Sequence, residues 1–179
     1  MTIKEMFEYL SRFREAAQEF WQKWSNLIDW PRTQSVIMDT HHNFVAEGII
    51  RYAEVEGFNP GIQYETVNPG DEVWAVHVSE LVPPINTLLS RIEDNIGPYI
   101  SGTEIWITIK YLAGKMNRPS RGDPILFSDY YYPMAVIYYL TLFFLSPLIT
   151  EFLELVEGVS ITPGLVDYLA LKEETQYAG

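Results

Sequence analysis

A chain of 179 residues with 47% hydrophobic side chains suits one domain with a real core and does not fit the disordered class. Twelve Lys+Arg against 24 Asp+Glu give a net charge of −12, which disfavours nucleic acid and anionic lipid over most of the surface. The absence of cysteine excludes disulfides, thiolate metal sites and a cysteine nucleophile, and it leaves a reducing cytosol, a hot habitat and a virion equally open.

Ile3, Met6, Leu10, Phe13, Ala17, Phe20, Trp24 and Leu27 recur at three-four spacing and predict one helix of about 25 residues, near 38 Å long at ~1.5 Å per residue. Thr2 and Glu5 form a capping-box pair at its start, and Pro31 closes it. Phe7, Trp21 and Ile28 widen the stripe, which suits a bundle better than a two-stranded coiled coil. Such a stripe needs a partner within the chain or in another copy. Met1 to Glu5 lacks the apolar core and cleavage site of a secretory signal, so no signal peptide is expected, and the location is left open, with the cytoplasm or a virion as candidates.

A second helix is expected over 33–56, with Gly57 as its stop, so that residues 1–56 form a helical hairpin. Pro60, Gly61, Asn68, Pro69 and Gly70 mark a loop that holds a short extended piece at 62–67. Residues 71–82 read as helix from Trp74, Val78, Leu81 and Ile85, with a strand at 72–78 as the alternative; Pro83 and Pro84 should break or kink the run. A helix from Pro84 to Ile96 follows. Ser101 and Glu104 cap another that reaches Asn117, where the β-branched run from Ile105 keeps strand open as an alternative. Residues 118–127 are a loop. Beyond it, 130–157 reads as an apolar central helix with a proline kink, uncharged from Tyr130 to Thr150 and long enough to span a bilayer. Thr162 and Pro163 open a last helix.

The fold expected is therefore mainly α: a single domain over 1–179, built as a bundle of about six to eight helices. Three sets of residues are candidates for function. Phe20, Trp21, Trp24, Tyr130, Tyr131 and Tyr132 are aromatic candidates for partner contact, because Tyr and Trp combine a large apolar body with a polar tip. Arg12 and Arg14, with the one basic island of Lys110, Lys115, Arg118 and Arg121, are candidates for anion contact. His41, His42 and His77, with Asp39 and Glu80 three residues from His42 and His77, are the one constellation that could ligate a metal between helices. Matching inward glutamates are missing, so no metal or cofactor is expected; His41 is read as hydrogen-bonded at the core edge and His42 as solvated. Nucleophile-elbow and phosphate-loop motifs are absent. The expected function is a non-enzymatic structural or interaction subunit that self-associates as a homo-oligomer into a virion, filament or similar assembly. A membrane protein spanning at 130–150 and a metal-dependent bundle enzyme are the alternatives.

Overall fold

A computed structural model describes residues 1–33 and 37–159. The described residues are mainly helical and contain no strand, in agreement with the all-α expectation. In chain order the helices are α1 (Ile3–Trp24), α2 (Asp39–Glu56), α3 (Ala75–Ser79), α4 (Val82–Ile100), α5 (Glu104–Ala113), α6 (Phe127–Leu145) and α7 (Pro147–Val159). Setting the single turn of α3 aside and counting α6 with α7 as one interrupted helix leaves five, fewer than the six to eight expected. The helix expected from Thr162 lies outside the described residues.

The capping box of α1 forms as expected: Thr2 Oγ1 accepts from the Glu5 amide at 3.1 Å and Glu5 Oε2 accepts from the Thr2 amide at 3.3 Å. Its seam packs on α2 and α6 with Phe13, Ala17 and Phe20 fully enclosed. The helix stops at Trp24, earlier than Pro31 requires, because a turn returns the Leu27 and Ile28 amides to the Trp24 carbonyl. Leu27, expected in the seam, is exposed for that reason. Similarly, α2 begins at Asp39 instead of residue 33, since the His41 ring caps the Met38 amide there.

Pro83 and Pro84 mark the expected break: the run is interrupted just ahead of them, between α3 and α4. Both prolines occupy the first turn of α4, where a missing amide costs no intrahelical hydrogen bond. A turn at Glu80 and Leu81 separates α3 from α4. Residues 104–111 are helical despite their β-branched run, because Trp106 and Ile109 fall on one face and bury together beside α6. The proline interruption expected in 130–157 falls at Ser146, which is extended (ψ 156°) ahead of Pro147, as the residue before proline prefers.

Helix α6 is the axis of the bundle and packs against α1, α2, α5 and α7. Phe13 of α1 stacks on Phe144 of α6 at 4.5 Å between ring centroids, and Phe20 meets Phe44 of α2 at 5.1 Å. A buried hydrogen-bond chain crosses the same layer. Thr141 Oγ1 donates to the Ile137 carbonyl at 2.8 Å, so the Tyr52 hydroxyl, 2.6 Å away, donates to Thr141. At Gly48 α2 packs close against α6 and α1: an added Cβ would stand 2.5 Å from Ile137 Cγ2 and 3.2 Å from Phe20 Cζ. Gly48→Ala gains about 1 kcal/mol of helix propensity but overpacks a stiff β-branched neighbour, which costs about 1–3 kcal/mol. The expected net result is a loss of about 1 kcal/mol in urea unfolding, partly relieved in a Gly48→Ala, Ile137→Ala double-mutant cycle. A Gly48→Ala protein more stable than the wild type would contradict this packing.

Candidate functional site

The N-termini of three helices meet at one end of the bundle, and all three are built alike. The N-cap residues of α2, α3 and α6 are Met38, Trp74 and Leu126, none of which can accept a hydrogen bond from the first turn in the way Ser, Thr, Asp or Asn does. The third helical residue reaches back in each helix. His41 Nδ1 accepts from the Met38 amide at 2.9 Å, His77 Nδ1 from the Trp74 amide at 2.8 Å, and Asp129 Oδ2 from the Leu126 amide at 2.9 Å. His41, His77 and Asp129 are buried, while the three N-cap side chains stay 46%, 60% and 55% exposed.

Two open grooves flank Trp74, which lines both. One, of about 600 Å³, lies among Met38, Asp39, Asp71, Glu72, Trp74 and Ile125; the other, of about 590 Å³, lies among Tyr64, Trp74, Val76, Arg121 and Gly122. Trp74 stands between the two, with Asp39, Asp71 and Glu72 in the first groove and Arg121 as the charged residue lining the second.

Beneath it, the 62–67 segment is held by side chains instead of a neighbouring strand. Glu80 accepts from the Gln63 and Tyr64 amides at 3.1 and 2.8 Å, and the Asn43 amide group makes a pair of bonds to Val67 at 2.8 and 2.9 Å. His42 completes the clamp. Its Nε2 lies 2.7 Å from the Tyr64 carbonyl, which can only accept, so Nε2 bears the proton and Nδ1 accepts from the Tyr130 hydroxyl at 3.0 Å. Burial lowers the pKa of His42, with the Tyr64 carbonyl and Glu80 opposing and His77 reinforcing the shift. Burial likewise lowers His41 and His77 and raises Tyr130.

His42 is thus fully buried and not solvated as its sequence position suggested, because Tyr64 and Tyr130 enclose it from segments 22 and 88 residues away. The rings of His42 and His77 meet edge to face at 5.7 Å, whereas His41 turns to Met38 and its Nε2 lies 3.9 Å from Asp29. Among the described residues no three His, Asp or Glu side chains converge as metal ligands would.

The aromatic candidates divide. Phe20, Trp24 and Tyr130 are interior and offer nothing to a partner, since α2 and α6 cover the α1 seam. Trp21, Tyr131 and Tyr132 are partly or largely accessible and belong to a surface ladder: Trp21 on Tyr138 at 5.8 Å, Trp30 on Tyr138 at 5.2 Å and on Tyr131 at 5.7 Å, and Tyr131 on Tyr132 at 5.4 Å. The basic candidates do not form one surface. Arg14 bonds the Thr150 hydroxyl, Lys110 pairs with Glu93 at 3.1 Å, and Lys115 sits over the Tyr111 ring. Arg12 is exposed on α1, and Arg118 and Arg121 are exposed on the loop after α5. Sequence reasoning missed Met38, Asn43, Tyr64, Trp74, Glu80 and Leu126. No local signal marks the clamp, whose partners lie 16 to 24 residues apart. An apolar N-cap followed three residues later by His or Asp was a readable sign of the exposed end.

No protein family, curated protein or solved structure matches the chain.

Proposed function

We propose that the protein is a non-enzymatic structural or interaction subunit that self-associates within a larger assembly. The apolar end supports this reading most directly. Of the fourteen large hydrophobic side chains exposed among the described residues, four (Met38, Tyr64, Trp74 and Val76) line the two grooves, and Leu126 and Phe127 follow the lining residue Ile125 along the chain. Exposed apolar side chains gathered in this way mark association sites more often than idle surface. The α1 stripe, by contrast, lends little support, because its partners are α2 and α6 of the same chain.

The run Phe127–Gly158 is long and apolar enough to cross a bilayer. Its first part, α6, is packed against four helices, and α1 turns Lys4, Glu8, Glu15 and Glu19 to the outside, an arrangement that favours a core helix over a span. Sedimentation velocity across a wide concentration range tests the proposal. The expected result is a sedimentation coefficient that rises with concentration. A chain that stays strictly monomeric, or one that leaves membranes only with detergent after alkaline washing, would overturn it.

A further inference from the structure

The N-cap positions of α2, α3 and α6 raise a physical question. Replacing Ser, Thr, Asp or Asn there by an apolar residue ordinarily weakens a helix, yet this chain does so three times at one end and keeps only the reciprocal half of the capping box, in which buried His41, His77 and Asp129 accept from the N-cap amides. The substitution gains little inside the subunit, because about half of each of Met38, Trp74 and Leu126 stays in solvent. A benefit appears only if another surface covers them.

The charges around Trp74 point to which surface that is. Asp39, Asp71 and Glu72 lie on one side of the indole and Arg121 on the other, and none of the four forms an ion pair among the described residues. A two-fold axis through such a patch exchanges its flanks, so each acidic groove faces the partner's Arg121 and each Trp74 meets apolar surface. An unrelated acidic or basic partner would satisfy one flank and oppose the other. A second copy offers each flank the opposite charge.

We propose that the end formed by Met38, Trp74 and Leu126 is a two-fold interface with a second copy of this chain, centred on Trp74 and registered by Arg121 against the acidic groove. The proposal rests on the self-association reading above and assigns it a surface.

Sedimentation equilibrium of the full chain provides the test, with unchanged circular dichroism as the check on folding. Trp74→Ala removes a side chain that stands outside the core, and it should raise the dimer Kd by about 30-fold or more, as for a central Trp in an interface. Arg121→Glu and Glu72→Lys should each weaken the homodimer, by about tenfold, by setting like charges opposite each other. Mixing those two variants should restore association, because each then presents the charge the other lacks. Wild-type association left unchanged by all three substitutions, or variants that weaken the dimer without recovering on mixing, would overturn this interface while leaving self-association through another surface intact. A wild-type chain that is monomeric throughout would overturn both readings.

Discussion

Phe13→Ala should cost about 3–5 kcal/mol, a large part of the roughly 5–15 kcal/mol that holds a domain of this kind together. Phe13 is fully enclosed, and its ring stacks on Phe144 at 4.5 Å, tilts against Tyr9 at 4.9 Å and reaches Tyr52 at 6.1 Å. It therefore joins α1, α2 and α6 at one point. Truncation removes the transfer free energy of the ring and leaves a cavity between three rigid helices that have little room to collapse. Phe13→Leu, which nearly conserves volume, should cost about 1 kcal/mol and serves as the measurable variant if the alanine protein does not fold. The comparison is with Trp21, seven to eight residues along the same helix but half-buried against Tyr138, where Ala should cost markedly less. Urea midpoints that rank Trp21→Ala below Phe13→Ala in stability would contradict the orientation of α1.

The second large effect is acid sensitivity. His41, His42 and His77 all have pKa values below the usual 6.5, first because burial disfavours the imidazolium. Asp29 and Asp39 oppose this at His41, and Glu80 at His42 and His77. The unfolded chain consequently binds more protons than the folded one as pH falls below about 6.5, and stability present above that pH is lost, at up to about 1.4 kcal/mol per pH unit for each histidine. Glu56 works the other way. It accepts from Tyr9 at 2.6 Å and from Asn95 at 2.8 Å, and burial raises its pKa, so it adds stability as it protonates. Three imidazoles against one carboxylate leave a net expected loss of about 1–3 kcal/mol between about pH 7 and pH 5.

The loss should begin at the apolar end, because protonating Nδ1 of His41 or His77 turns the acceptor that caps α2 or α3 into a donor. Gln at the third helical position is a capping residue that does not titrate. His41→Gln with His77→Gln should therefore flatten the pH profile of the urea midpoint while retaining the caps. A wild-type profile that is flat over this window, or a double variant as acid-sensitive as the wild type, would show that these rings do not control it.

Much of the helical framework is local and was legible. The three-four spacing of α1, its Thr2 and Glu5 cap, the Gly57 stop of α2 at φ 90° and the proline interruption of the apolar run all appear where chain-neighbour chemistry requires them, and a loop over 114–126 takes in most of the expected 118–127. The errors fall where distant segments decide. His42 is buried by residues remote in sequence, and the 62–67 segment is held by the side chains of Asn43, His42 and Glu80, none of them a chain neighbour. Likewise, the aromatic content suggested sticky surfaces without saying which rings would be outside. Phe20 and Trp24 went inside, and Trp74, inconspicuous in a short β-rich run, remained out.

By itself the sequence determined that this is a mainly α chain with an amphipathic first helix and an apolar central one, because helical hydrogen bonds close within four residues and a helix displays its faces every 3.6 residues. Only the tertiary structure decided which apolar faces were left over. Exposure depends on what packs from elsewhere in the chain, and here α2 and α6 cover the α1 stripe, while the meeting of three helix N-termini leaves Met38, Trp74 and Leu126 uncovered.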